Sequence, residues 1–233
     1  MTVQEIAKLL DHSTLQPFLT DDDIRKGCDI ALRWGTATVC ARPADMPLVS
    51  RLLASSPVLP CTVIGFPHGS VKTRVKLYEA EQALDDGCRE LDMVLHIGKL
   101  KQGENNYVRD EIALLSSLAH KRGALLKVII ETCFLTEQEK ILACRLSEEA
   151  GADFVKTSTG YGTGGATAED IRLMRSSVSP KVRVKASGGI RTLDAVLAMH
   201  EAGADRCGVS ATAAIMEEAE KRARSGLLEE EKQ

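Results

Sequence analysis

Two rhythms of apolar residues alternate along this chain. In one, apolar positions recur every three to four residues, as on a helix with a buried stripe. In the other, short apolar runs sit between turn signals, as in buried strands. The helical rhythm covers residues 3–10, 20–34, 43–54, 71–86, 107–122, 136–150, 167–177, 192–202 and 211–224. The strand rhythm covers 11–15, 36–40, 61–66, 89–95, 125–131, 153–156, 182–185 and 205–208. Thr20 precedes three aspartates and reads as a helix N-cap with acids in the first turn. Pro43 suits a first helical position, and Gly87, Gly123 and Gly151 read as stops.

Strands separated by helices run parallel, because each crossover returns the chain to the same end. Eight such units predict an α/β fold, a TIM (β/α)8 barrel with a short extra N-terminal helix, as one domain over residues 1–233. An open doubly wound sheet is the alternative, but no long insertion or reversal of the pattern favours it. A Gly-Ala-Asp signal before two strands, at 151–153 and 203–205, fits repeated units. The tail from Leu228 is expected to fray.

Composition narrows the partners. A formal charge of −3 over 233 residues offers no field for nucleic acid or an anionic membrane. One Trp, four Phe and three Tyr make base-stacking platforms unexpected. No apolar run approaches membrane-spanning length, and the N-terminus does not read as a secretion signal. Seven widely spread cysteines without a C-x-x-C read as reduced thiols, so a cytoplasmic location is expected.

A barrel of this kind carries its active site at the C-terminal ends of the strands. Strand six ends in Lys156, followed by Thr157, Ser158, Thr159 and a glycine-rich loop to Gly165. Desolvation at such a place lowers a lysine pKa, and a neutral amine attacks carbonyls. Gly160, Gly162 and Gly165 also fit G-x-G-x-x-G, but the next strand ends in Lys185 instead of the acid that a dinucleotide site needs. Alternation turns Lys185 inward on strand seven, and Glu90, Asp92 and Val94 inward on strand four. Strands six and seven lie roughly 5 Å apart. Two lysines and an aspartate therefore converge. In the reading this supports, Lys156 forms a Schiff base, Lys185 supplies charge beside it, and Asp92 shuttles protons. A purely structural reading makes the same residues an interior ion-pair network, with Glu90 on Lys127, but does not explain two adjacent cations.

Ser187-Gly188-Gly189 and Gly208-Val209-Ser210 end strands seven and eight, each before a helix. Bare amides at such places hold phosphate, although Gly-Gly also makes plain tight turns. The five histidines show no paired metal spacing and no Cys/His cluster is visible, so no metal and no cofactor is expected. Cys40 ends strand two and reads either as substrate-facing or as a buried structural thiol.

Several segments together resemble deoxyribose-phosphate aldolase. They are Leu10-Asp-His-Ser-Thr-Leu15, Thr38-Val-Cys40, Thr62-Val-Ile-Gly-Phe-Pro67, Glu90-Leu-Asp-Met-Val94, Lys127-Val-Ile-Ile-Glu-Thr132, Phe154-Val-Lys-Thr-Ser-Thr-Gly160 and Lys185-Ala-Ser-Gly-Gly-Ile-Arg-Thr192, in order along nearly the whole chain. The resemblance implies a metal-free class I aldolase that reversibly cleaves 2-deoxyribose 5-phosphate to acetaldehyde and glyceraldehyde 3-phosphate. It makes Lys156 the Schiff-base lysine, with Asp92 and Lys185 transferring protons. Gly160, Gly188, Gly189, Gly208 and Ser210 then lie along the phosphate region, and Asp11 and Lys127 line the pocket; Thr159, Ser187 and Cys40, near the ends of their strands, are further substrate-binding candidates. A homodimer or homotetramer is implied by analogy. Three departures stand out. Val209 and Ala211 replace residues of a usual Gly-Thr-Ser-Ser run, which removes a phosphate hydroxyl; His96 stands where an Asn is common; the tail has no tyrosine. The competing readings are another Schiff-base aldolase or transaldolase and a non-catalytic sugar-phosphate-binding barrel.

Overall fold

Local chemistry sets the helix starts. In the computed structural model, which describes residues 1–228, Thr2 caps α1 (Val3–Lys8), Thr20 caps α2 (Asp21–Trp34) and Thr136 caps α7 (Glu137–Glu149). Each does so by a reciprocal box with the acid three residues on. The other helices are α3 (Met46–Leu53), α4 (Thr73–Asp85), α5 (Ile97–Lys101), α6 (Asn105–Lys121), α8 (Ala168–Ser177), α9 (Leu193–Glu201) and α10 (Thr212–Arg224). The strands are β1 (Leu10–Thr14), β2 (Thr38–Ala41), β3 (Leu59–Ile64), β4 (Glu90–Val94), β5 (Leu125–Ile129), β6 (Phe154–Lys156), β7 (Arg183–Ser187) and β8 (Arg206–Val209). They close in sequence order into an all-parallel barrel, β8 pairing back onto β1. The expected fold is thus the observed one. No helix among the described residues is long and apolar enough to cross a membrane. The expected frayed tail lies, from residue 229, outside the described residues.

Alternation along the strands separates two environments. Leu91, Met93, Val128, Val155, Val184 and Ala186 face the helices and join one continuous apolar layer with Ile112, Leu115, Ile171, Val196 and Ile215. The barrel interior is charged. Asp92 lies opposite Lys127, Lys156 opposite Lys185, and Lys185 opposite Arg206. Phe154 floors this interior, with the Arg183 guanidinium 4.0 Å from its ring centre.

Three local features depart from the expectation. Residues 97–101 form α5, whose cap is the His96 side chain accepting from the Lys99 amide. β5 stops at Ile129 instead of running to 131, because Glu131 turns into the left-handed region at φ 46°. β7 runs on to Ser187, which carries its last residues into the site.

Candidate active site

The charged interior is one connected network. The Asp92 carboxylate accepts from Lys127 Nζ at 2.6 Å through Oδ1, and from Lys156 and Lys185 Nζ at 2.7 Å each through Oδ2. Lys185 also meets Asp11 Oδ2 at 2.5 Å, and Arg206 meets Asp11 Oδ1 at 2.6 Å. Lys127 reaches Glu90 Oε2 at 2.6 Å. Three carboxylates thus serve four cations, and all seven side chains are buried. The aldolase-like trio and the alternative ion-pair network are the same object. Glu90 does pair with Lys127, and carboxylates bridge the lysines instead of leaving them bare against each other.

Burial alone would raise the Asp92 pKa, but Lys127, Lys156 and Lys185 outweigh it and hold the carboxyl well below its usual range. Asp11 is depressed likewise, its burial outweighed by Lys185, Arg206 and Lys127. For Lys185, burial opposes the charge, yet Asp11 and Asp92 keep the ammonium above the usual lysine range. Lys127 is raised in the same way, chiefly by Asp92. Lys156 differs in connectivity: Asp92 is its one ion-pair partner among the described residues.

Above the network lies a cavity of ≈ 830 Å³, a volume that includes the solvent at its mouth. Of the residues singled out from sequence, Asp11, Cys40, Lys156, Thr159, Gly160, Lys185, Ser187, Gly188, Gly189, Gly208 and Ser210 line it. Asp92 and Lys127 lie beneath, fully buried. Lys127 therefore supports the site from below and does not line the pocket as expected. Ser13, Leu15, Gln16, Tyr161, Ile190, Arg191 and Val209 complete the lining. Arg191 stood in a quoted motif; its cation at the mouth follows from the strand-end position alone.

The loops around the cavity are tied together. Ser187 accepts through its carbonyl from Thr157 Oγ1 at 3.1 Å and donates its hydroxyl to the Ser158 carbonyl at 2.6 Å. Gly165 presses on the next loop so closely that a Cβ there would sit 2.2 Å from the Gly188 carbonyl oxygen. Gly188 and Gly189 take φ 86° and 82°, a backbone open to glycine, shortly before α9. Ala211 packs against the apolar core and is not among the residues lining the cavity, whereas Val209 is.

The structure also corrects the expectation of no cysteine cluster. Cys40 and Cys61 are register partners on β2 and β3, and their sulfurs gather with an Asp92 oxygen within 4.8 Å. Hydrogen bonding between the thiols lowers the Cys40 pKa, while burial and the same bond raise that of Cys61. The Asp92 oxygen nearest Cys61 is the one held by Lys127 at 2.6 Å, so a cation entering there meets an ammonium already in place.

The family model for the DeoC/LacD family aldolase matches residues 6–218. The chain belongs to this family. As a DeoC/LacD aldolase it is 53% identical over 219 residues to the deoxyribose-phosphate aldolase of Thermococcus gammatolerans, covering 93% of this chain and 97% of that one. It is 49% identical to that of Clostridium perfringens, covering 93% and 96%. A solved tetrameric deoxyribose phosphate aldolase from Aeropyrum pernix superposes with TM-score 0.88 at 33% identity, covering 94% of this chain and 92% of that one.

Proposed function

We propose that this aldolase reversibly cleaves 2-deoxyribose 5-phosphate to acetaldehyde and glyceraldehyde 3-phosphate through an imine on Lys156. The observation that carries this reading is the placement of Lys156 Nζ: at the cavity floor, on one carboxylate oxygen that it shares with Lys185. In this scheme the neutral Lys156 amine adds to the substrate aldehyde, and the carbinolamine loses water to give an iminium. The bond between C2 and C3 then breaks as the 3-hydroxyl gives up its proton, and its electron pair flows into an enamine. Protonation of that enamine and hydrolysis release acetaldehyde. Asp92, touching both lysines through Oδ2, passes protons between them, and Lys185 keeps the site cationic. The backbone at Gly188, Gly189 and Ser210 and the Arg191 cation line the part of the cavity that suits the phosphate. No step uses a metal or a cofactor.

Borohydride with acetaldehyde tests the assignment. The expected product is an ethyl adduct on Lys156 with activity abolished, alongside acetaldehyde release from deoxyribose 5-phosphate by untreated protein. An adduct on another lysine with Lys156 unmodified removes the assignment. Absence of acetaldehyde release favours a different aldolase or a binding barrel.

We also infer a cytoplasmic location, which seven free thiols support. A homodimer or homotetramer is the inferred assembly, supported by the tetrameric relative and by exposed Val71, Val75 and Tyr78 near or on α4.

A further inference from the structure

Glu131 takes no part in the scheme above, yet its surroundings are unusual. It is the one non-glycine residue with positive φ among the described residues, at 46°. Such backbone persists where surrounding bonds over-determine it, and it clusters at functional sites. Its side chain is only 1% exposed, and no ion pair links it to a cation among the described residues. Both carboxylate oxygens are turned instead to Thr159, three residues past Lys156. The Thr159 amide donates to them at 3.3 and 3.4 Å, and the Thr159 hydroxyl donates to Oε2. That hydroxyl oxygen in turn accepts from the Tyr161 amide at 3.0 Å, and the Tyr161 phenol donates to the Leu15 carbonyl at 2.8 Å.

The consequence is mechanical. Thr159, Gly160 and Tyr161 form one wall of the cavity. On the β7 side this loop is fixed through Thr157 and Ser158 to Ser187. On the β5 side the Glu131 carboxylate holds it. A Cβ on Gly162 would lie 3.2 Å from that carboxylate, so the glycine lets the loop close over it. We propose that Glu131 is a positioning residue for substrate: its strained backbone aims a buried carboxylate that fixes the Thr159–Tyr161 wall in its binding conformation. This rests on the aldolase reading.

Glycine tolerates left-handed backbone and asparagine does so better than most residues. Glu131→Gly therefore separates backbone comfort from the side-chain bond. The thermal midpoint of Glu131→Gly is expected to equal or exceed that of Glu131→Ala, while both raise KM for deoxyribose 5-phosphate about tenfold or more and change kcat less. Glu131→Gln keeps an acceptor for the Thr159 hydroxyl and is expected to recover most of the affinity. Thr159→Val should reproduce the KM defect, with little further loss when combined with Glu131→Ala. Amide exchange at Thr159 and Tyr161 should quicken in the Ala and Gly variants. If Glu131→Gly and Glu131→Ala keep the wild-type KM, or if KM follows the thermal midpoint across the series, the inference falls. Wild-type protein without acetaldehyde release would instead remove the reading beneath it.

Discussion

At the scale of single residues, Asp92 decides most of the behaviour. One fully buried carboxylate satisfies three lysines, so no member of the set is independently removable. From sequence, Lys185 reads as a charge beside Lys156. The structure shows it bound to Asp11 and Asp92 at 1% exposure. Removing one partner of a buried pair typically costs about 3–5 kcal/mol. Lys185→Leu is therefore expected to lower both turnover and the thermal midpoint, read by acetaldehyde release and calorimetry. A variant that loses turnover but melts like wild type would show that Asp11 and Asp92 find other partners. The lysines and Asp92 were legible because strand-end position and alternation aim them inward. Glu131 was not, since nothing marks a glutamate for left-handed backbone. The Cys40–Cys61 contact was hidden too, because it depends on register between two strands.

At the scale of elements, the order and kind of nearly every helix and strand could be read from periodicity, caps and glycine stops. What escaped were pieces too short to show a period, such as α5, and polar residues buried between helices. Lys76, inside the helical rhythm of residues 71–86, donates from α4 to the Val94 carbonyl at the end of β4 at 2.8 Å and to Glu111 on α6 at 2.7 Å. Thr73 Oγ1 completes the arrangement on Glu111 at 2.9 Å. Burial lowers the Lys76 pKa, with Glu111 only partly offsetting it. Lys76→Met strands a buried carboxylate and should cost about 3–5 kcal/mol in urea unfolding. Lys76→Met with Glu111→Leu should recover most of that loss. Equal destabilisation by the single and double variants would mean that packing, not the pair, governs this junction.

Across the whole molecule, the pH response has three parts with different signs. Asp11 and Asp92 have depressed pKa values, so their contribution is present above about pH 4 and is lost as pH falls toward their folded values. Lys127 and Lys185 have raised values, so theirs is present below about pH 10 and is lost on going higher. His12 acts between. Its Nδ1 pairs with Thr212 Oγ1 at 2.8 Å, tying the first strand to α10, and burial pushes its pKa down to about 4. The unfolded chain takes up this proton from about pH 6.5 downward while the folded one resists, so stability falls as pH drops from 6.5 to 4. The loss amounts to about 3 kcal/mol at most. Melting curves across that range should show the decline in wild type and a flatter profile in His12→Asn. An equal slope in both would place the effect elsewhere.

The imbalance of four cations over three carboxylates bears on the energetics of turnover. Counted with Lys156 as an ammonium, the interior holds one surplus positive charge, and an iminium on the same nitrogen carries the same charge. The field that the barrel sets up while folding thus already matches the covalent intermediate. The interior behaves like a poled medium: its polarisation is frozen in before substrate arrives, and the nitrogen changes its chemical identity within it while the surrounding dipoles stay where they are.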